Sequence, residues 1–172
     1  MGRQLILLRH AKSSWDSGAK RDFDRPLNKR GLRNAPRMGR WLKEKRLIPD
    51  HIVSSPAKRA ELTVNAVIGE LDLTKDGIVF DDVLYLCDCH ALLQVLANFP
   101  DTSRCGLIVG HNPGLEDLLL YLCGDAAPRA RDGKILVTAA IARIAMPDDW
   151  HNLKQGGCDL LELVRPKQLE SR

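Results

Sequence analysis

The chain has 172 residues, of which 44% are hydrophobic and 28% are charged, and its formal net charge is +4. This length suits one domain, residues 1–172, with a sizeable core. The mild charge and an aromatic content of 5% argue against nucleic acid as a partner, since nucleic-acid binding needs a basic footprint and stacking side chains. No apolar run approaches the roughly 20 residues that span a bilayer, so no membrane partner is expected either.

Apolar segments alternate with helical patterns along the chain. Residues 4–8 include four aliphatic side chains in a row, which is typical of a strand buried on both faces. A polar loop over residues 13–26 leads to a helix over 28–46. Pro36 inside that helix predicts either a kink or a helix that begins near the proline.

The alternation continues to residue 122 and then changes. The remaining predicted elements are a strand at 51–54, a helix at 57–71, a strand at 78–80, a helix at about 90–98, a strand at 106–110, a helix at 113–122, and strands at 138–145 and 159–164. The last two strands have no helix between them and are expected to pair antiparallel at one edge. The pattern predicts an α/β fold, a three-layer sandwich with a mostly parallel central sheet and an antiparallel edge.

Basic and imidazole side chains follow three of the predicted strands. Arg9 and His10 end the first strand, Arg59 lies in the first turn after the second, and His111 follows the strand at 106–110. Parallel strands place their carboxyl ends at one edge of the sheet, where open α/β proteins bind ligands. Guanidinium groups suit phosphate oxygens. Each residue alone would be an ordinary turn or surface residue, and their coincidence predicts an anion site.

Four motifs in this order resemble the histidine phosphatase superfamily, which includes phosphoglycerate mutases and histidine acid phosphatases. The motifs are Leu5-Ile-Leu-Leu-Arg9-His10-Ala11, Arg25-Pro26-Leu27-x-x-x-Gly31, Ser54-Ser55-Pro56-x-x-Arg59-Ala60-x-x-Thr63 and Gly110-His111-Asn112-Pro113. The short chain and its Arg-His-Ala-Lys form are similar to the SixA-type branch of phosphohistidine phosphatases. The resemblance runs from residue 4 to about residue 145 and implies a phosphoglycerate mutase-like fold.

The resemblance also implies roles for individual residues. His10 is the implied nucleophile that takes the phosphoryl group, Arg9 and Arg59 bind its oxygens, and His111 completes the catalytic set. Arg25 is implied as a further substrate-binding arginine. The expected enzyme is a metal-independent phosphatase with no cofactor.

The cysteines add little to this expectation. None of the five forms a C-x-x-C pair, and Cys87, Cys89 and His90 have no second pair of ligands with zinc-site spacing. This cysteine usage fits a reducing, cytoplasmic location.

The substrate is the open question. Larger relatives of this superfamily protonate the leaving oxygen with a carboxylic acid, and the His111-Asn112 pair lacks it. The remaining candidates for a general acid are Asp16, Asp22, Asp24, Asp81 and Asp82. Each of them is also explained as an ordinary solvated loop carboxylate. A weak or missing acid favours phosphoramidates, so a protein that carries phosphohistidine is the expected partner.

Other functions remain open alongside this one. The main alternative is a general phosphomonoesterase for small metabolites or for proteins that carry phosphoserine or phosphothreonine. A phosphate-binding module without turnover and a mutase are further alternatives. Four loop cations would steer an acidic partner toward the site: Lys12, Lys20, Arg21 and Lys29. An ordinary soluble surface explains them equally well.

Overall fold

Six strands form one mixed sheet in the computed structural model, which describes residues 2–125 and 127–170. The strands are β1 (Arg3–Arg9), β2 (His51–Ser54), β3 (Ile78–Phe80), β4 (Cys105–Gly110), β5 (Ile141–Met146) and β6 (Asp159–Val164). Their order is β3-β2-β4-β1-β5-β6. The first four strands run parallel, and β5 and β6 pair antiparallel at one edge. The predicted sheet is confirmed.

Four helices cover the two faces of this sheet. They are α1 (Lys29–Glu44), α2 (Lys58–Glu70), α3 (Cys89–Ala97) and α4 (Gly114–Cys123). Among these described residues no helix is long and apolar enough to cross a membrane.

The central strand β1 is buried on both faces, as its sequence predicts. Leu5 and Leu7 belong to the core cluster beneath α3 and α4, whereas Ile6 and Leu8 belong to the cluster beneath α1 and α2. All four side chains have no exposed surface. The residues that follow β1 therefore extend from a strand that the core encloses on both faces.

The structure decides one open alternative and shifts one strand boundary. The helix predicted over 28–46 is present as α1, and the alternative of a start near Pro36 is wrong, because α1 begins at Lys29, where the Asn28 side chain accepts a hydrogen bond from the Gly31 N–H at 2.9 Å. The strand predicted at 138–145 begins only at Ile141. Ala139 has a φ of 62°, and its N–H donates to the carbonyl oxygens of Arg9 and His10, at 3.1 Å each. The preceding segment thus folds across the end of β1.

Gly31 lets α1 pack directly on the loop that follows β1. A Cβ atom at this position would overlap the Lys12 carbonyl oxygen and would lie 3.1 Å from the Lys12 amide nitrogen. The same carbonyl oxygen accepts a hydrogen bond from the Asn28 N–H at 2.9 Å. The glycine of the second motif is therefore required by a close approach between two backbone segments.

Gly31→Ala is expected to lower the free energy of unfolding by about 1–3 kcal/mol, because the added methyl group must displace this loop. Gly69→Ala in α2 is the matched control, since a Cβ there meets no atom within 4 Å. The control should be neutral or stabilising by up to about 1 kcal/mol. Urea unfolding of both variants measures the difference, and equal effects would contradict the close approach.

Candidate active site

A cleft of about 330 Å³ opens at the carboxyl edge of the parallel strands. The five residues predicted from the sequence all line it: Arg9, His10, Arg25, Arg59 and His111. They come from the ends of β1 and β4, from the first turn of α2 and from the loop before α1. The structure therefore brings together side chains that lie up to 102 positions apart in the chain.

The His10 ring is held in one orientation by the backbone. Its Nδ1 lies 2.8 Å from the Ala11 carbonyl oxygen. A carbonyl oxygen only accepts, so Nδ1 carries the hydrogen and the neutral ring keeps its lone pair on Nε2. The His10 N–H donates to the Gly110 carbonyl oxygen at 3.0 Å, which fixes the main chain to β4. The ring thus has one nitrogen free to act as a nucleophile.

Both histidines of the cleft are neutral at neutral pH. Burial lowers the pKa of His10 to about 3, against the opposing effect of the hydrogen bond to Ala11, and the nearby His111 and Arg59 lower it further. Burial, with the Arg59 charge, also lowers the pKa of His111 to about 3. Two imidazoles with ring centroids 5.0 Å apart therefore coexist with arginines without adding positive charge.

His111 has one nitrogen engaged and one unengaged. Its Nε2 lies 2.8 Å from the Ser55 hydroxyl oxygen, and the Ala57 N–H donates a hydrogen bond to that same oxygen. Its Nδ1 is buried and has no hydrogen-bond partner among residues 2–125 and 127–170. Buried polar atoms normally have partners, so this nitrogen is suited to a group bound in the cleft.

Three guanidinium groups face the cleft, and each is held by other parts of the chain. Arg9 donates from Nη1 to the Leu136 carbonyl oxygen at 3.0 Å. Arg25 donates to the Ser13 hydroxyl at 2.8 Å, and its guanidinium lies 3.7 Å from the centre of the Trp15 ring. Such fixed cations match the oxygens of a phosphoryl group.

Asp22 is the one of the five candidate carboxylates that lines the cleft. Its carboxylate accepts hydrogen bonds from Arg59 at 3.0 Å, from Arg25 at 3.0 Å and from the Tyr85 hydroxyl at 2.8 Å. Partial burial opposes ionisation, yet the hydrogen bonds from Tyr85, Arg25 and Arg59 lower the pKa of Asp22 to about 2. Asp22 is therefore ionised at neutral pH and has no proton to donate to a leaving group.

The other candidate carboxylates do not line the cleft. Asp24 forms an ion pair with Arg21 at 2.7 Å, and Asp81 accepts a hydrogen bond from the Val83 N–H at 2.9 Å. These contacts are local, within three residues along the chain. The interpretation of Asp24 and Asp81 as ordinary loop carboxylates fits their positions.

Thr63, the last residue of the third motif, joins the two arginine-bearing segments. Its hydroxyl donates to the Arg59 carbonyl oxygen at 2.6 Å and accepts a hydrogen bond from the Ala11 N–H at 2.9 Å. Thr63 is fully buried. It therefore fixes the backbone after His10 to the first turns of α2, where Arg59 lies.

The lowered histidine pKa values predict a loss of stability in acid. The unfolded chain takes up these protons near pH 6.5, whereas the folded chain takes them up only near pH 3. Between pH 3 and pH 6.5 the unfolded state therefore binds more protons than the folded state. The free energy of unfolding therefore falls as the pH is lowered from 7, by up to about 1.4 kcal/mol per pH unit for each histidine.

Urea unfolding at pH 7, 6 and 5 measures this dependence. His111→Gln removes one buried titrating group and is expected to make the dependence shallower. His90→Gln changes an exposed histidine outside the cleft and is expected to leave the pH dependence of unfolding unchanged. A wild-type stability that is the same at pH 7 and pH 5 would contradict the buried, neutral state of both rings.

No group of three or more His, Cys, Asp or Glu side chains is arranged to hold a metal ion within the part of the chain that the structure describes. All five cysteines are free.

The chain is similar to known proteins both in sequence and in structure. A family model described as the histidine phosphatase superfamily (branch 1) matches residues 5–79. An uncharacterized chloroplastic protein of Arabidopsis thaliana is 31% identical over 137 residues, which cover 72% of this chain and 61% of that protein. The chain thus spans less than two thirds of that relative's length. Phosphohistidine phosphatase SixA of Escherichia coli is 27% identical over 163 residues, covering 91% of this chain and 96% of that protein.

A solved structure of the protein histidine phosphatase SixA in complex with tungstate has the same fold. Its TM-score is 0.78 at 26% sequence identity, and the alignment covers 97% of this chain and 99% of that chain.

Proposed function

Because the chain belongs to the histidine phosphatase superfamily, in its SixA-type branch, we propose that it hydrolyses phosphoryl groups through a phosphohistidine intermediate on His10. One observation carries the proposal: His10 Nδ1 is committed to the Ala11 carbonyl oxygen, which leaves the lone pair on Nε2 of a ring that lines the same cleft as three arginines. The relative solved with tungstate supports it, since tungstate is a tetrahedral oxyanion like phosphate.

The proposed reaction has two steps. In the first, the His10 Nε2 lone pair attacks phosphorus, and the bond from phosphorus to the leaving group breaks with its electron pair on the leaving atom. Arg9, Arg59 and Arg25 bind the phosphoryl oxygens, over which the transition-state charge is spread. In the second step, water attacks the phosphohistidine, releases inorganic phosphate and returns neutral His10. The arginines supply the positive charge for both steps, so the proposed enzyme needs no metal.

We further propose that the substrate is phosphohistidine in a protein. Asp22 is held ionised by two arginines and a tyrosine, so the cleft lacks a ready general acid. An alkoxide leaves poorly without a proton, whereas the imidazole of phosphohistidine leaves more readily. Transfer of the phosphoryl group from the substrate histidine to His10 also breaks one phosphorus–nitrogen bond and forms another of the same type. The SixA relative of Escherichia coli, named a phosphohistidine phosphatase, supports this choice.

The rim of the cleft supports a protein substrate over a small metabolite. Trp15 and Leu86 line the cleft and expose 74% and 57% of their surface. Large exposed apolar side chains beside a charged site are typical of surfaces that contact proteins.

A substrate panel at matched concentrations tests the proposal. We expect kcat/KM for a phosphohistidine peptide to exceed that for the matching phosphoserine peptide and for a sugar phosphate by at least about 100-fold. An aryl phosphate, which leaves without an acid, is the control for an intact site, and a chelator should not change its rate. Faster hydrolysis of phosphoserine or the sugar phosphate would favour the general phosphomonoesterase and overturn the proposed substrate.

Asp22→Asn separates a proton donor from a structural carboxylate in the same panel. The amide keeps the size of the side chain and has no acidic proton. We expect the variant to change the rates on the aryl phosphate and the phosphohistidine peptide by the same factor. A selective loss on the phosphoserine peptide would identify Asp22 as a general acid.

A further inference from the structure

A second and larger cleft, of about 450 Å³, lies beside the candidate active site and shares Arg9, Lys12 and Thr138 with it. The two clefts are therefore adjacent. We call the larger one the basic groove, after the cations that line it: Arg9, Lys12, Arg30, Lys134 and Lys167.

The basic groove carries an excess of positive charge. Two carboxylates also line it, but Asp132 pairs with Lys134 at 2.7 Å and Glu170 pairs with Arg37 at 3.2 Å. In contrast, four of the five cations form no ion pair with any residue in 2–125 and 127–170: Arg9, Lys12, Arg30 and Lys167. Like charges that line one cleft repel each other, and a bound anion relieves that repulsion.

The position of Arg30 is unfavourable for the helix that carries it. The first turn of α1 contains Lys29 and Arg30 and has no acidic residue. The N-terminus of a helix favours carboxylates and disfavours cations. Residues that oppose a local structural preference, such as a cation at a helix N-terminus with no nearby carboxylate, are often found at functional sites. The placement of Arg30 in the groove is such a case.

The size and the lining of the groove favour a peptide segment over a single small anion. Its cations come from four segments: the end of β1 with its following loop, α1, the loop at residue 134 and the turn Pro166–Leu169. Val137 and Pro166 add apolar surface between them. The volume of about 450 Å³ is larger than a single phosphate requires, and the several cations with the apolar side chains match a peptide segment that carries more than one carboxylate.

We propose that the basic groove binds an acidic segment of the substrate protein while the adjoining phosphorylated residue lies at His10. This inference rests on the proposed function, because it requires that the phosphoryl group be carried by a protein. Arg9 lines both clefts, so the bound segment would continue directly from the phosphorylated residue.

Two phosphohistidine peptides test the groove. They differ only in that the three residues on each side of the phosphohistidine are all glutamate or all glutamine. At low ionic strength we expect wild-type kcat/KM to be at least tenfold higher for the glutamate peptide. In R30E/K167E this preference should disappear, while kcat/KM for the glutamine peptide and for an aryl phosphate should stay within twofold of the control variant.

The control variant is K75E/K154E, which changes the net charge by the same amount at two exposed lysines that line neither cleft. It should retain the preference for the glutamate peptide. Equal kcat/KM for both peptides on the wild type, or an equal loss of preference in both variants, would overturn the inference.

Failure of the proposed function would look different. If the wild type hydrolyses neither the peptides nor the aryl phosphate, the proposed activity is wrong, and the groove is then tested by binding alone. Fluorescence anisotropy of the same two labelled peptides on His10→Ala should give at least tenfold tighter binding of the glutamate peptide, and R30E/K167E in that background should remove the difference. Equal affinities would overturn the groove.

Discussion

His10→Ala is expected to lower kcat for an aryl phosphate by at least about 1000-fold, because it removes the imidazole whose Nε2 is proposed to attack phosphorus. The neighbouring imidazole is not expected to replace it, since the contact of His111 Nε2 with the Ser55 hydroxyl holds that ring in its own position, at a centroid distance of 5.0 Å from His10. Steady-state kinetics at saturating substrate measure the effect.

The loss must be separated from unfolding. The His10 side chain makes one hydrogen bond, to the Ala11 carbonyl oxygen, so its removal should leave the sheet intact. Near-ultraviolet circular dichroism and tungstate binding of the variant check this. His90→Ala, at an exposed histidine on α3, is the matched control and should keep full activity. A His10→Ala variant with more than one tenth of wild-type kcat would contradict the role of His10.

Arg59→Ala is expected to lower kcat/KM by about 100- to 1000-fold, which corresponds to the loss of one fixed donor at a developing charge. Arg59 is 3% exposed and donates to the main chain and carboxylate of Asp22, at 2.8 and 3.0 Å. Its Nε is buried and has no partner among the described residues. A guanidinium held in this way needs no reorganisation when a phosphoryl group binds.

Two variants locate the cause of this loss. Arg59→Lys keeps the charge but not the planar fork, so we expect it to recover part of the activity. Lys58→Ala, at the exposed neighbour on α2, should change kcat/KM by less than twofold. Inhibition by inorganic phosphate should weaken in Arg59→Ala, because the same group binds the product. A loss of less than tenfold in Arg59→Ala would contradict its role at the phosphoryl oxygens.

The order of strands and helices could be predicted because it depends on local pattern. Four aliphatic residues before Arg9 predict a central strand, and parallel strands place Arg9, Arg59 and His111 at one edge without any knowledge of side-chain contacts. The start of α1 also has a local signal in Asn28. Pro36 left a later start open as an alternative, but the capping interaction eight residues earlier begins the helix before the proline is reached.

The environment of Asp22 could not be predicted in this way. It depends on contacts with Arg59 and Tyr85, which lie 37 and 63 positions away. These residues occupy a loop, a helix start and a turn, where no periodic pattern links them. The start of β5 was misplaced for a similar reason, since Ala139 bonds to the carbonyl oxygens of Arg9 and His10 instead of extending the strand.

The covalent intermediate provides the most direct test of the proposed mechanism. The wild-type enzyme is mixed with saturating phosphohistidine peptide, quenched in alkali during turnover, digested and analysed by tandem mass spectrometry. We expect a phosphoryl group on His10 that is stable in base, lost in acid and absent from His10→Ala. A phosphoryl group on another residue, or none on the protein during turnover, would contradict nucleophilic attack by His10.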